Sequence, residues 1–260
     1  MPERRNWTEN EVRHALTLYL QTTFGRIHRG NPDIINLSFR LGRTPSAVAL
    51  KLANLAALDT SIPQKGMSNA STMDKKVWTE FFDNPEPILA VFNQQDLDAT
   101  VTNEPQNLPG QSISVAEGNA IYEAFGSSER RIETKQRIGQ DFFRRIILTS
   151  YSGRCALTGI EDKRLLNASH IVAWKDDVRN RINPSNGICL NALHDRAFDR
   201  HIITFDEDCR MKIASRVPNI AKRELERVDS GRLELPNRFL PDQTLLEKHR
   251  RVFYEKQVCT

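Results

Sequence analysis

Apolar residues in the first sixty positions recur at the three- and four-residue spacing of amphipathic helices. Thr8 and Glu11 have the form of a capping box at the start of a first helix. Asn31-Pro32 and Thr44-Pro45 begin two further helices, and Gly42 ends the second. The pattern predicts three short helices with a tight connection between the last two, as in a helix-turn-helix unit.

The periodicity weakens between residues 61 and 128. Two stretches of linker composition, 60–66 and 103–110, enclose two short helical patterns at Lys75–Phe82 and Pro87–Leu97. We interpret 61–128 as a helical connector that packs against either end of the chain or holds a dimer together.

The regular spacing of apolar residues becomes clear again from residue 129 onwards. Residues 129–149 predict one long helix with its apolar residues on one side, and residues 165–205 read as strand, loop, strand, helix and strand. Asn191 is the predicted N-cap of the helix in this unit, which runs through Leu193–Phe198. A short strand at Met211–Ile213 and a closing helix at Leu245–Tyr254 follow. The predicted fold class is therefore α+β.

Charge is unevenly distributed, although the net charge is only +4. Residues 1–60 contain eight Lys or Arg against five Asp or Glu, residues 61–128 three against nine, and residues 129–260 twenty-six against nineteen. Basic ends around an acidic middle favour a polyanionic partner, with ordinary solvated charge as the alternative.

The chain lacks the apolar run of about 20 residues that a membrane helix requires, and its first residues lack the apolar core of a secretion signal. We expect a cytoplasmic protein without a membrane span. The four cysteines are Cys155, Cys189, Cys209 and Cys259. They include no CxxC pair, so we expect buried free thiols rather than disulfides or a four-cysteine zinc site.

About half of the chain, from near Glu129 to the C-terminus, carries a resemblance to a known family. His170, Asn186 and His194 resemble the three named residues of an HNH nuclease, which has the ββα-metal fold. The phrases CALTG (155–159), SHIVAW (169–174) and NPSNGICLNALHDRAFD (183–199) are similar to the branch found in bacterial restriction endonucleases. The pattern predicts a helix-turn-helix-like DNA-binding segment at 1–60 and a helical connector at 61–128, and the resemblance implies an HNH nuclease domain at 129–260. Many HNH proteins also brace their fold with two CxxC pairs around zinc, and here the apolar core is expected to replace them.

The resemblance assigns a chemical role to each of the three residues. His170 is expected to be the general base, because an unperturbed imidazole titrates near neutral pH. His194 is expected to be a metal ligand, and both imidazoles should meet at one pocket. Asn186 is expected to cross-link the loop that supports His170, with an ordinary Asn-Gly turn as the alternative. The nuclease assignment depends on this pairing of imidazoles.

The second metal ligand is less clear from the sequence. Many HNH enzymes have an acidic ligand directly before the base, whereas this chain has Ser169. Asp199 is the preferred second ligand, with a helix-capping or ion-pairing role as the alternative, and Asp195 should point about 100° away from His194 on a regular helix. His201 is either a third ligand or a structural residue in a turn. The expected ion is Mg²⁺ or Mn²⁺, while zinc and nickel remain alternatives.

Two basic regions are candidate DNA contacts. Residues 36–55 resemble the Myb-like segment that often precedes this type of HNH domain, although three-helix units that bind only protein are also common. The long helix at 129–149 is either a surface that follows phosphates or an ordinary solvated face. The candidate residues are Arg40, Arg43, Ser46, Lys51, Arg144 and Arg145.

The expected activity is metal-dependent cleavage of double-stranded DNA, in restriction of foreign DNA. Cutting both strands would require a homodimer or two successive nicks. The alternative is a non-catalytic DNA-binding regulator that retains the HNH fold, its site impaired by Ser169. A serine hydrolase is disfavoured, because adjacent residues of a strand, such as Ser169 and His170, point to opposite faces.

Overall fold

The computed structural model describes residues 5–62, 69–102, 128–228 and 230–258. They form an α+β fold of helices and two small antiparallel sheets. In chain order the α-helices are α1 (Glu9–Leu20), α2 (Pro32–Leu41), α3 (Pro45–Ala56), α4 (Thr72–Asp83), α5 (Glu86–Thr102), α6 (Ser128–Ser150), α7 (Ala192–Asp199), α8 (Asn219–Leu225) and α9 (Gln243–Val258). The strands are β1 (Leu166–His170), β2 (Gly187–Asn191), β3 (Ile203–Phe205) and β4 (Met211–Ile213). The predicted break at 103–110 and Cys259 lie outside the described residues.

The first three helices begin and end where local side-chain chemistry dictates. The hydroxyl of Thr8 accepts from the backbone N–H of Glu11, whose carboxylate accepts in return from the N–H of Thr8. Thr44 caps α3 in the same way through the N–H of Ala47. Gly42 ends α2 with φ 59°, a left-handed conformation that glycine adopts without a steric penalty. The three predicted helices are therefore present.

The helices of the predicted connector join the N-terminal core. Val77 and Phe81 of α4 and Ile88 and Phe92 of α5 are buried in one apolar cluster with α1, α2 and α3. The connector was expected to pack against either end of the chain. These two helices pack against the N-terminal end.

Helix α6 contributes to both cores of the molecule. Phe142 and Ile146 are buried in the N-terminal cluster, whereas Phe143 and Ile147 are buried in the cluster of the C-terminal half. Successive residues of a helix differ by about 100° in direction, so the doubled apolar pairs form two adjacent faces. The prediction of a single apolar side was too narrow.

The C-terminal half is built around two hairpins. β1 and β2 are antiparallel, and their register places His170 opposite Gly187. A Cβ atom on Gly187 would lie 2.4 Å from Ile147 and 2.6 Å from Phe143, so only glycine allows β2 to approach α6 this closely. β3 and β4 form the second antiparallel pair, and α7 packs on β1 and β2.

Arg238 connects the two halves. It is buried, and its guanidinium donates to the backbone carbonyls of Tyr19, Leu20 and Thr22 at the C-terminal end of α1. A cation at this end of a helix satisfies carbonyls that have no partner within the helix. Within the described ranges no helix combines the length and apolarity that crossing a membrane requires.

Candidate active site

A cleft of about 580 Å³ lies between α6, β1, the segment after β1 and α7. Its walls combine basic, acidic and aromatic side chains around one histidine. The lining residues are Gln140, Asp141, Phe143, Arg144, Asn167, Ala168, Ser169, His170, Ala173, Trp174, Asp195, Arg196, Asp199 and Arg200. This is the composition expected of a site for a charged substrate rather than for an apolar ligand.

His170 is held in the cleft on three sides. Its ring stacks on Phe143 with centroids 3.9 Å apart and meets the edge of Trp174 at 5.6 Å. Its Nε2 lies 2.9 Å from the carbonyl oxygen of Arg181. A carbonyl only accepts, so Nε2 carries the proton and donates it, which leaves the lone pair of a neutral ring on Nδ1. Burial lowers the pKa of His170, partly offset by the Arg181 carbonyl and the charge of Asp195, and this favours the neutral base.

Asn186 fixes the loop that supplies this carbonyl. Its side-chain amide donates to the carbonyls of Val172 and Asn180 at 3.0 and 2.9 Å, and its Oδ1 accepts from the N–H of Val172 at 2.8 Å. Its backbone carbonyl also accepts from Ile171. Asn186 is completely buried. It therefore ties the segment directly after His170 to the return strand, which is the expected cross-link.

Helix α7 divides its side chains between the interior and the cleft. Asn191 caps it by accepting from the N–H of His194 at 3.0 Å. Asp195 and Asp199 lie one turn apart and both line the cleft. Burial raises the pKa of Asp199, the nearby charge of Asp195 raises it further, and Arg196 and Arg200 oppose this effect. The two carboxylates are thus close enough to repel each other.

His194 does not reach the cleft. Its ring is buried, with Nε2 3.1 Å from the carbonyl oxygen of Leu225 and Nδ1 3.1 Å from Oδ1 of Asn191. The expected pairing of the two imidazoles across one pocket was wrong, because the 100° step from His194 to the next residue turns His194 inward and Asp195 outward. The cleft therefore places carboxylates of α7, rather than a second imidazole, near His170.

His194 instead belongs to a brace near the start of α7. The backbone N–H of Asn191 donates to Sγ of Cys155 at 3.2 Å, and its side-chain amide donates to the hydroxyl of Thr158 at 3.1 Å. Cys155 and Thr158, like Asn191 and His194, have the spacing of a CxxC pair. Hydrogen bonds here join the segment before β1 to the start of α7. Cys155, Cys189 and Cys209 are buried free thiols, as expected.

The six candidate DNA contacts occupy different environments. Arg144 lines the cleft, whereas the guanidinium of Arg145 lies 4.9 Å from the ring centre of Phe92 on the N-terminal side of α6. Arg40 and Ser46 are exposed. Arg144 and Arg145 are neighbours on α6 and yet lie on different sides of the helix. A count of basic residues does not show which of them reaches the cleft.

Arg43 and Lys51 were expected to face DNA, but both side chains are largely buried in ion pairs. Arg43 pairs with Glu11 at 2.8 Å and covers the Trp7 ring at 4.1 Å. Lys51 pairs with Asp74 at 2.7 Å, and the two side chains are 6% and 0% exposed. Both cations are neutralised within the fold, because a buried charge requires a partner.

His201 lies outside the cleft lining. Its backbone adopts φ 56°, the conformation for which glycine is preferred, and its ring stacks on His249 with centroids 4.4 Å apart. Of the two roles considered, these contacts fit a structural residue in a turn.

A β-hairpin with a histidine at the end of its first strand, followed by a helix with carboxylates beside that histidine, defines a ββα nuclease-type domain. A family model described as HNH endonuclease matches residues 155–206. The C-terminal half therefore contains an HNH domain, and the predicted resemblance is confirmed over these residues. No curated protein shows significant similarity to this chain.

HNH nucleases generally use divalent metal ions, and the cleft residues fit one. Among the residues that the structure describes, no group of three or more His, Cys, Asp or Glu side chains gathers as a metal site. Mg²⁺ does not need such a group, since it is commonly held by one or two carboxylates, waters and substrate phosphates. Asp195 and Asp199 supply two carboxylates, and a cation would relieve their repulsion.

Sequence reasoning missed the position of Asp195 and the aromatic support of His170. The sequence did contain a signal for Asp195, because Asp195 and Asp199 have the i, i+4 spacing that puts two side chains on one helix face. Phe143 and Trp174 are distant in sequence from each other, and their contact with His170 depends on how α6 packs on β1.

Proposed function

We propose that the protein is a divalent-metal-dependent endonuclease that hydrolyses phosphodiester bonds of double-stranded DNA. The observation that carries this proposal is the orientation of His170, whose Nε2–H is tied to the Arg181 carbonyl in a cleft that also contains three carboxylates and three arginines. The sequence-based hypothesis depended on two facing imidazoles, which the structure does not show. The proposal now depends on the HNH family match and on a cleft whose residues would supply a general base, metal-binding oxygens and phosphate-binding cations.

His170 accepts the proton of the attacking water on Nδ1, and the Arg181 carbonyl stabilises the imidazolium that results. Asn186 keeps that carbonyl in place through the loop. Arg144, Arg196 and Arg200 bind the phosphates on either side of the scissile bond. Asp195 and Asp199 would hold a divalent ion, which would supply charge neutralisation at the phosphoryl oxygens and the leaving group. The products carry 5′-phosphate and 3′-hydroxyl ends.

The biological role we propose is restriction of foreign DNA. One cleft per chain cuts one strand at a time, so a double-strand break requires a homodimer or a second nick. The resemblance of the sequence to bacterial restriction endonucleases supports this role.

A non-catalytic DNA-binding regulator is the second candidate. It is favoured by Ser169, which replaces the acidic residue that many HNH enzymes have before the base, and by the finding that no three His, Cys, Asp or Glu side chains of the described residues gather as a metal site.

A plasmid-nicking assay with Mg²⁺ or Mn²⁺ separates the two candidates. The wild-type protein should nick DNA, and His170→Ala should be slower by about 10²- to 10⁴-fold, the usual contribution of a general base. His28→Ala is the matched control, since His28 is an exposed histidine outside the cleft. Absence of cutting by the wild type with every divalent ion tried would favour the regulator.

A further inference from the structure

Two polar side chains of β1 contact the same carboxylate. Asn167 and Ser169 are two residues apart on the strand and therefore project from one face. The hydroxyl of Ser169 donates to Oδ1 of Asp195 at 2.6 Å, and the side-chain amide of Asn167 donates to Oδ2 at 2.7 Å. Each oxygen of the carboxylate thus has its own donor from the neighbouring strand.

This double contact restricts how Asp195 can turn. Two donors on two oxygens fix the rotation of the carboxylate plane, which a single hydrogen bond does not. A carboxylate accepts about four hydrogen bonds or metal contacts in total, so both oxygens retain acceptor capacity. Asp195 is therefore held in one orientation while it remains able to coordinate a cation.

Ser169 itself is poorly suited to bind the ion. It is 2% exposed, and its hydroxyl proton is already donated to Asp195. The hydroxyl is also a weaker ligand for Mg²⁺ than a carboxylate. Its contact with Asp195 offers a different role for the serine that precedes the histidine.

We propose that Asn167 and Ser169 are positioning residues that orient Asp195 for a divalent cation, and that Ser169 acts through Asp195 without touching the ion. This inference rests on the proposed function of the cleft. Groups that hydrogen-bond a metal ligand typically contribute about 10- to 100-fold in metal affinity or activity. Many HNH enzymes have an acidic ligand directly before the base, where this chain has Ser169. Asp195 of α7 supplies a carboxylate in its place.

Binding of Mn²⁺ to the full chain, measured by titration calorimetry, tests the inference. Ser169→Ala should weaken Mn²⁺ binding by about 10- to 100-fold, and Ser169→Thr, which keeps the hydroxyl, should restore most of the affinity. In the nicking assay the Mn²⁺ concentration for half-maximal rate should rise in Ser169→Ala, while the rate at saturating Mn²⁺ changes much less. Ser38→Ala is the matched control, because Ser38 is equally buried and donates to a backbone carbonyl outside the cleft.

Asn167→Ala provides an independent measurement if Ser169→Ala fails to fold, and it should weaken Mn²⁺ binding in the same direction. Ser169→Ala added to Asp195→Asn should have no further effect on Mn²⁺ affinity, because the serine acts only through that carboxylate. An additive loss in this double variant would overturn the proposed route.

The outcomes also separate this inference from the proposed function. A wild-type protein that binds Mn²⁺ and nicks DNA, with unchanged Mn²⁺ affinity in both Ser169→Ala and Asn167→Ala, refutes the positioning role and leaves the nuclease intact. A wild-type protein that neither binds Mn²⁺ nor nicks DNA refutes both.

Discussion

The N-terminal core and the cleft differ in how they use basic side chains. In residues 5–102, Arg13, Arg43 and Lys51 pair with acidic residues of other helices, and the Lys51 pair is almost completely buried. At the cleft, Arg196 and Arg200 form no ion pair among the described residues, although other cations of the C-terminal half do, as Arg250 does with Glu207. The cations of the N-terminal core therefore hold helices together, whereas Arg196 and Arg200 are available to a polyanion.

This difference shows why basic composition alone is weak evidence for a DNA-binding surface. A cation contributes to the binding of phosphate only if the fold leaves it without an acidic partner, and that depends on residues distant in sequence. Asp74 is 23 positions from Lys51, and Glu11 is 32 positions from Arg43. Variants in both halves test whether the cations of the N-terminal core stabilise the fold and whether those of the cleft bind DNA.

The largest effect is expected from Asp74→Ala in the N-terminal half. Removing this partner leaves the Lys51 ammonium buried without a countercharge, which should reduce the free energy of unfolding by about 3–5 kcal/mol. Chemical denaturation measures this change. The double variant Lys51→Met with Asp74→Leu should recover most of the loss. If Asp74→Ala unfolds like the wild type and instead weakens DNA binding, Lys51 is a DNA contact and the comparison fails.

Mild acid should affect the C-terminal half first. Burial, with the charges of His201 and Lys256, lowers the pKa of His249 to about 3, so its stabilising contribution is complete above pH 6.5 and decreases as the pH falls towards 3. In the other half, burial alone would raise the pKa of Glu11, but hydrogen bonds from Arg43 and Thr8 hold it at about 2, and its contribution decreases only below pH 4.5.

At pH 5 we therefore expect the C-terminal half to be about 2 kcal/mol less stable, with little change in the N-terminal half. Hydrogen exchange at pH 7 and pH 5 measures the two halves separately. His249→Gln should remove most of the difference. An equal fall of the protection factors in both halves, after correction for the slower intrinsic exchange at pH 5, would show that another group titrates.

The smallest of these effects concerns DNA affinity. Arg196→Gln with Arg200→Gln should weaken binding about tenfold and reduce the slope of log affinity against log salt concentration by about 2, since each lost phosphate contact removes about one unit. The paired variant Arg40→Gln with Ser46→Ala tests the exposed N-terminal candidates. A larger loss in the N-terminal pair would identify the helix-turn-helix-like segment, rather than the cleft, as the main DNA contact.

Much of the fold could be predicted because it depends on short-range chemistry. The caps Thr8, Asn31, Thr44 and Asn191 all accept the hydrogen bonds that their positions indicated. The long helix, the β1–β2 hairpin and the strand after α7 were also predicted, since period-two and helical patterns reflect which faces are buried. Two differences of this kind remain: the paired apolar residues of α6 serve two cores, and the short helix α8 was not predicted.

The site was predicted only in part. His170 and Asn186 were identified through the family resemblance, and the structure places His170 in a cleft and Asn186 in the predicted cross-link. The predicted direction of His194 was wrong, because neighbouring residues of a helix point in different directions. His194 points to the interior, and the next residue, Asp195, lines the cleft. Asp195 was disfavoured as a ligand because it should point about 100° away from His194. In the structure His194 points inward, and the same 100° step brings Asp195 to the cleft.

Most elements, their order and the HNH segment could be read from the amino-acid sequence, because capping, periodicity and local motifs act over a few residues. Three properties became visible only in the folded chain: which face of α7 meets β1, which cations are neutralised by distant carboxylates, and that Asn167 and Ser169 hold Asp195. Those properties depend on contacts between segments far apart in the chain, where a rotation of 100° or a single ion pair reverses the role of a side chain.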